Sequence, residues 1–162
     1  MLHTGELGTA STLKVMTNYL ATPNLLTLCE ALVTMKAAGV DLATTYEAIK
    51  ISSGNSFVHE TESQLILSGS RDVNFTMDLA QKDIGLFGAI AANNGVPLEI
   101  LPLMMEIMSD GQSRFGDRAQ SDRIIERLEQ ATGQQVLAPG FPRELIDDEP
   151  ETIGHEITVE PS

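Results

Sequence analysis

A long helical pattern opens this sequence, running from about residue 7 to residue 38. Apolar side chains recur in it at spacings of three and four residues, as on one face of a helix: Leu13, Met16 and Leu20. Gly39 follows as a stop signal, because glycine readily takes the left-handed conformation that ends helices. Pro23 lies in the middle and leaves two possibilities open: one helix kinked at the proline, or a second helix that Thr22 caps.

The composition favours helices packed on helices. The chain has 162 residues, 42% of them hydrophobic, with no tryptophan, two tyrosines and five phenylalanines. Its core must therefore be mainly Leu, Ile, Ala and Met, whereas a β-sandwich would use more aromatic and β-branched residues. Caps and stop signals predict five more helices, at about residues 42–51, 57–67, 76–93, 97–114 and 122–131. Asp41, Ser56 and Ser121 are the predicted N-caps of three of them. The sequence thus predicts an all-α bundle of about six helices with a long first helix.

Residues 137–162 differ in character from the rest of the chain. Prolines and glycines fall there among seven Asp and Glu residues and a single arginine. This composition predicts an extended acidic C-terminal tail after a helical domain of residues 1–136. An alternative is an arm that becomes ordered against another subunit, anchored by Phe141, Leu145 and Ile146.

The net charge of −13, with a pI near 4.4, excludes two classes of partner. Duplex nucleic acid and anionic membranes would be repelled at long range. Cys29 is the only cysteine, and the sequence shows neither a secretory signal nor a membrane-spanning apolar run, so we expect a cytoplasmic protein without internal disulfides. The three histidines are too scattered to predict a metal site.

Two groups of residues carry the chemistry of interest. The first is the glycine pair Gly5 and Gly8, followed by Lys14 and Asn18 on the first helix. The i,i+4 spacing of Lys14 and Asn18 places both side chains on one helix face. The commonest explanation for such a lysine is structural: its apolar stem packs while its ammonium group reaches water.

The second group lies on the predicted fourth helix and just before it, at Phe75, Asp78, Lys82 and Asp83. Asp78 and Lys82 are spaced as an ordinary surface ion pair, which stabilises a helix by about 0.2–0.5 kcal/mol. Lys82 and Asp83 are adjacent in sequence and are expected to point in different directions. By itself this group predicts no function.

Together the two groups resemble the C-terminal domain of the β-hydroxyacid dehydrogenase family. That family includes 3-hydroxyisobutyrate dehydrogenase, tartronate semialdehyde reductase and, more distantly, 6-phosphogluconate dehydrogenase. The resemblance covers about residues 3–133 and depends on both groups occurring at the family's spacing. It implies an all-helical domain of an enzyme that transfers hydride between a 3-hydroxy acid, or its semialdehyde, and NAD or NADP.

The resemblance also implies roles for single residues. Lys14 matches the catalytic lysine, a general acid/base that exchanges a proton with the substrate hydroxyl while hydride leaves or joins the adjacent carbon. Asn18, Phe75 and Asp83 match residues that bind substrate or wall its cleft, and Lys82 matches a lysine that contacts the cofactor. Lys14, Asn18 and Lys82 should then meet at one open cleft.

Two departures from the family limit what this chain can do alone. Tyr19 stands where the family often has a second asparagine. No Gly-x-Gly-x-x-Gly between a strand and a helix occurs, so the N-terminal Rossmann domain, which would bind most of the NAD or NADP, is absent from this sequence. We therefore expect a fragment of a longer enzyme or one half of a split gene, inactive unless a Rossmann domain is supplied in cis or in trans.

We also expect a homodimer or larger homo-oligomer, because a helical domain that normally covers another domain leaves apolar surface open. Two other interpretations stay open. In the first, the chain is an all-α interaction or dimerisation module without catalytic activity, and its lysines are ordinary surface groups. In the second, the domain has kept the fold, has lost its catalytic function and now only binds a partner.

Overall fold

Six α-helices make up the computed structural model, which describes residues 3–146. They are α1 Thr9–Ala37, α2 Leu42–Lys50, α3 Phe57–Ser68, α4 Met77–Asn93, α5 Leu101–Phe115 and α6 Glu126–Thr132. A 3₁₀ turn, Ser121–Ile125, leads directly into α6. The described residues contain no strand beyond one isolated bridge between Thr76 and Gln120. The predicted all-α architecture with a long first helix is confirmed.

α1 is one continuous helix of 29 residues with Pro23 inside it, which decides between the two possibilities left by the sequence. Thr22 does not cap a second helix; its hydroxyl donates to the carbonyl of Asn18 at 3.2 Å, within the helix. Gly39, with φ of 77°, follows the C-cap as predicted. α1 packs against each of the other five helices, so side chains on its different faces lie next to different helices.

Predicted caps account for both ends of α3 and the start of α2. Asp41 accepts a hydrogen bond from the Thr44 N–H at 2.7 Å, and Ser56 accepts one from the His59 N–H at 3.0 Å. Gly69 ends α3 in the left-handed conformation.

Two predicted helix starts are wrong. The fifth helix begins at Leu101, not at Pro97, because a helix from Pro97 would place Pro102 beyond its first turn. There the missing N–H and the proline ring would break the helix, whereas a start at Leu101 puts Pro102 within the first turn. The last segment begins as the 3₁₀ turn, in which Ser121 is a buried member with its N–H bonded to the Phe75 carbonyl, not a cap.

The core lies between α1, α3, α4 and α5 and is built from aliphatic side chains and methionine. Its fully buried members include Leu32, Leu65, Ile66, Met77, Ile84, Met104, Met108 and Ile125. α5 packs closely on α4 at Gly88, where a Cβ would lie 2.5 Å from Leu101 Cδ2 and would force that side chain to move. None of the described helices is both long and apolar enough to cross a membrane.

The chain after α6 turns back along α3. Val136 is fully buried, the Ala138 N–H donates to the Leu67 carbonyl at 2.9 Å, and Phe141 meets the Tyr46 ring edge-on. Phe141, considered above as an anchor for another subunit, therefore packs on its own chain. Residues 147–162, most of the predicted acidic tail, lie outside the described residues. The division of the chain at residue 136 stays a prediction.

Candidate active site

Asp83 on α4 is the point where three predicted site residues meet. Its Oδ2 atom accepts hydrogen bonds from Lys14 Nζ and from Asn18 Nδ2, each at 2.5 Å. Its Oδ1 atom lies 3.7 Å from Lys82 Nζ. The Asp83 side chain is 5% exposed, whereas those of Lys14 and Lys82 are 58% and 60% exposed. These four residues, called the Asp83 cluster below, therefore place a buried anion beneath two accessible ammonium groups.

The packing of α1 against α4 produces this cluster. Lys14 and Asn18 lie one turn apart on α1 and so reach the same acceptor. Beside them, Tyr19 stacks on Phe87 of α4, with ring centroids 4.2 Å apart. Because Phe87 lies one turn beyond Asp83, the stacked rings help to set the alignment of the two helices at the cluster. Tyr19 thus has a packing role at the position where the family often has a second asparagine.

Donors decide the charge state of Asp83. Burial by itself raises the pKa of this carboxyl, because it removes the charged form from water. The hydrogen bonds from Lys14 and Asn18, together with the positive charges of Lys14 and Lys82, lower the pKa by more, so it lies below its ordinary value. The carboxylate is therefore charged at neutral pH and holds both α1 donors in place.

Two expectations about α4 are wrong. Lys82 and Asp83 do not point apart, because the long Lys82 side chain brings its ammonium back to 3.7 Å from the carboxylate. Asp78 pairs with Arg118, at 3.3 Å, and accepts the Thr76 hydroxyl, in place of forming the expected pair with Lys82. The bridge between Thr76 and the segment after α5 brings Arg118 within reach of Asp78.

A pocket of about 350 Å³ lies beside the cluster, lined mostly by apolar side chains of α1, α3 and the segment between α3 and α4. Asn18 belongs to both, since it lines the pocket and bonds Asp83. Phe75, the fifth predicted site residue, lines the same pocket, and Leu145 of the C-terminal segment adds to its wall. All five predicted site residues therefore lie in the Asp83 cluster or in the pocket that adjoins it.

Sequence reasoning missed Glu62, an acidic side chain of α3 that also lines the pocket. Val58 and Ile66, one turn to either side of it, are both buried. The i,i+4 pattern therefore places Glu62 on the inward face of α3, and that signal was available in the sequence. Asp122 in the 3₁₀ turn is fully buried, and its charge acts on Glu62.

The described residues contain no group of three or more His, Cys, Asp and Glu side chains arranged to hold a metal ion. His59 is a core residue, with Nε2 2.9 Å from the Tyr46 carbonyl oxygen, and His3 lies apart from it at the start of the described residues. His155 lies outside the described residues. The groups suited to an anionic cofactor are the exposed ammonium groups of Lys14 and Lys82.

Comparison with known proteins finds that this chain is similar to dehydrogenases. Residues 8–128 match the model of a family described as "NAD-binding of NADP-dependent 3-hydroxyisobutyrate dehydrogenase". The chain is 33% identical over 135 residues to 2-(hydroxymethyl)glutarate dehydrogenase of Eubacterium barkeri, a match that covers 83% of this chain and 45% of the relative. It is 24% identical over 121 residues to L-threonate dehydrogenase of Escherichia coli (strain K12), covering 75% of this chain and 40% of the relative. The chain thus spans less than half the length of these relatives.

Two solved structures share the fold. The 3-hydroxyisobutyrate dehydrogenase of Salmonella typhimurium matches with a TM-score of 0.68 at 22% identity, over 74% of this chain and 42% of that one. The Mycobacterium tuberculosis 3-hydroxyisobutyrate dehydrogenase, determined with L-serine, matches with a TM-score of 0.67 at 18% identity, over 78% and 45%.

The matched region carries the family's cofactor in its description, NAD or NADP. The sequence interpretation, in contrast, assigns most cofactor contacts to a separate Rossmann domain. The family match covers well over half of the chain and contains the whole Asp83 cluster. The chain therefore belongs to the family of NADP-dependent 3-hydroxyisobutyrate dehydrogenases, a family of hydroxyacid oxidoreductases, in the region described as NAD-binding.

Proposed function

We propose that this chain is the C-terminal substrate and dimerisation domain of an NAD(P)-dependent 3-hydroxyacid dehydrogenase, with Lys14 as its general acid/base. The observation that carries the proposal is the convergence of Lys14, Asn18 and Lys82 on Asp83 beside a pocket. Lys14 and Asp83 are 69 positions apart, so the contact is a product of the fold and not of local sequence. Two ammonium groups and an amide that share one buried carboxylate support a common site for these residues.

The geometry gives Lys14 a free proton-transfer site. An ammonium group has three N–H donors, and Asp83 takes one of them, which leaves two for the oxygen of a substrate. The neutral amine of Lys14 takes the hydroxyl proton as the alcohol is oxidised, and the ammonium returns a proton to the carbonyl oxygen in the reverse direction. When bound, NAD or NADP supplies the acceptor for the hydride that leaves the adjacent carbon.

Asn18 positions the same substrate oxygen. One of its amide N–H groups donates to Asp83, and the other stays available at the edge of the pocket. The charged Asp83 holds the Lys14 and Asn18 donors next to each other, so that they meet one acceptor together. Phe75 walls the pocket on the substrate side.

Lys82 is proposed to contact the cofactor. Its ammonium group is largely exposed above Asp83, next to that of Lys14. In a chain with a net charge of −13, two adjacent accessible cations form a local site for an anion such as a cofactor phosphate. The remaining contacts with NAD or NADP belong to a Rossmann domain supplied in cis or in trans.

Complementation with a Rossmann domain tests the proposal. The isolated chain is expected to give no turnover of 3-hydroxyisobutyrate with NAD or NADP. Addition of the Rossmann half of a homologous dehydrogenase should restore turnover, and Lys14→Ala should abolish it. Lys36→Ala on the same helix is the matched control, because Lys36 lies in the last turn of α1. Full activity of the Lys14→Ala protein would refute the acid/base role and favour an interaction module without catalytic activity.

We further propose that the domain forms a homodimer or larger homo-oligomer. Large apolar side chains are exposed on three of its helices: Leu13, Leu20, Leu86 and Leu103. Such surface is typical of protein interfaces when the side chains are contiguous. Sedimentation at two protein concentrations tests this, since a monomer mass at both would contradict the proposal, and Leu20→Lys is expected to shift an assembly toward monomer.

A further inference from the structure

Among the described residues that line the pocket, Glu62 is the only ionisable one. The other polar lining groups are the Asn18 amide and the hydroxyls of Thr22, Thr61 and Ser121. Its Oε2 atom is buried without a hydrogen-bond partner among the described residues. A buried polar atom without a partner costs stability, so its presence on a pocket wall calls for an explanation. The catalytic proposal does not use it.

The surroundings of Glu62 are unfavourable for negative charge. Burial, and then the nearby charge of Asp122, raise the pKa of Glu62 to about 8. Burial also raises the pKa of Asp122 to about 7, although Arg71 lowers it in part. Arg71 gives little net compensation, because Glu126 and Glu129 already pair with it at 3.2 Å and 2.7 Å.

A ligand carboxylate at this wall would meet the same conditions. It would lose its hydration among apolar side chains such as Val58 and Met108. It would also add a third acidic group to the pair formed by Glu62 and Asp122, and the described residues that line the pocket include no cation. The protonated Glu62 carboxyl can donate a hydrogen bond to a ligand but brings no positive charge to balance a carboxylate, whereas an uncharged end needs no such balance.

We propose that Glu62 makes this pocket select 3-hydroxy acids whose non-reacting end is uncharged and reject those with a second carboxylate at that end. This inference rests on the proposed function, because it takes the pocket beside Asn18 as the place of the substrate's side chain. It separates this chain from a relative 33% identical to it, whose named substrate, 2-(hydroxymethyl)glutarate, is a dicarboxylate.

Two isosteric acids test the selection. One is 2-(hydroxymethyl)glutarate, and the other is 2-(hydroxymethyl)-5-methylhexanoate, in which an isopropyl group replaces the distal carboxylate. Each is titrated into the ¹⁵N-labelled 162-residue chain at pH 7, and Kd is taken from the amide shifts of Thr61, Ser121 and Asn18. The wild-type chain should bind the monocarboxylate at least about tenfold more tightly than the dicarboxylate.

Glu62→Gln is the test variant and Glu60→Gln the control. Gln keeps the shape and removes the acid, so the preference should fall to less than about threefold. Glu60 is exposed on the same helix and does not line the pocket, so Glu60→Gln should keep the wild-type ratio. Circular dichroism checks that each variant is folded.

Three results would overturn the inference. They are equal or tighter binding of the dicarboxylate by the wild type, an unchanged ratio in Glu62→Gln, and no shift at Thr61 or Ser121 with either acid. In each case the acid/base role of Lys14 is judged separately, by turnover in the complemented enzyme. If Lys14→Ala left turnover unchanged while the wild-type chain still preferred the monocarboxylate, the chain would be a binding domain with the same pocket.

Discussion

The Asp83 cluster and the Glu62–Asp122 pair shift the pKa of the same chemical group, a buried carboxyl, in opposite directions. At Asp83 the donors of Lys14 and Asn18 outweigh burial, and the pKa falls. At Glu62 and Asp122 no described side chain donates to the buried oxygens, and burial dominates although Arg71 and backbone N–H groups lower the pKa of Asp122 in part. The pKa values rise to about 8 and about 7. Neighbouring donors, and not burial alone, therefore decide which acid of this fold is charged at neutral pH.

This difference in pKa corresponds to two functions of the proposed site, proton transfer and ligand selection. A charged, fully bonded carboxylate fixes two donors where a proton must be moved. Two carboxyls with raised pKa values and unpartnered buried oxygens instead define a region that tolerates neutral groups. Each half of this comparison can be broken by single substitutions.

The largest effect is expected from Lys14→Ala in the complemented enzyme. Loss of a general acid/base lowers turnover by about 10²- to 10⁴-fold, because no other described cation is hydrogen-bonded to Asp83 Oδ2. Steady-state kinetics with 3-hydroxyisobutyrate measures the effect on kcat, with Lys36→Ala as the control. A loss confined to KM would assign Lys14 to substrate binding alone.

Asp122→Asn should stabilise the chain at alkaline pH. The folded-state pKa values of Asp122 and Glu62 lie above their unfolded values near 3.8 and 4.5, so the folded chain holds these protons more tightly. Their contribution to stability is full below about pH 4 and is lost as the pH rises to about 8. Removing one buried, poorly compensated acid should then raise the free energy of unfolding by about 1–4 kcal/mol at pH 8.5.

Urea unfolding at pH 5 and pH 8.5 measures this change, with the exposed Asp117→Asn as the control. A gain of equal size at both pH values would show that the substitution acts through packing and not through the charge.

Asp83→Asn should have the opposite sign. The folded-state pKa of Asp83 is lowered, so its contribution to stability is present above its unfolded pKa near 3.8 and is lost as the pH falls through the folded value. The substitution should cost about 1–2 kcal/mol at pH 7, the range for hydrogen bonds to a charged group with partly exposed partners. Urea titrations at pH 7 and pH 3 measure the change in the free energy of unfolding. A more stable Asp83→Asn protein at pH 7 would contradict the predicted difference between Asp83 and Asp122.

The smallest effect is expected from Tyr19→Leu. It removes the stacked pair with Phe87 and should cost about 0.5–1.5 kcal/mol beyond the area lost. Thermal unfolding measures the cost. A double-mutant cycle with Phe87→Leu isolates the pair, and a coupling energy near zero would contradict its role in aligning α1 and α4.

The fold was largely predictable because its signals are local. Asp41, Ser56 and Gly69 act at helix ends within a few residues, and the all-helical composition needs no long-range information. The start of α5 was missed because Pro97 and Pro102 compete for one helix start, and only the second fits a first turn.

The site was predictable only in part. Its members on α1 follow from i,i+4 spacing, and those on α4 came from the family resemblance. The Lys82–Asp83 contact depends on how a long side chain bends across its helix, which spacing does not determine. Glu62 carried a readable signal between Val58 and Ile66, but its raised pKa depends on Asp122, 60 residues further along the chain.

The return of the chain along α3 has a practical consequence for anyone who shortens this protein. The Ala138–Leu67 hydrogen bond and the contact of Phe141 with Tyr46 hold the C-terminal segment against the helices. The end of this segment places Leu145 in the wall of the pocket. A recombinant version cut after residue 136 would keep all six helices and Lys14, but with a wider entrance and a newly bared stripe on α3. A ligand affinity measured on such a truncated protein would therefore describe a pocket that lacks the Leu145 wall of the full chain.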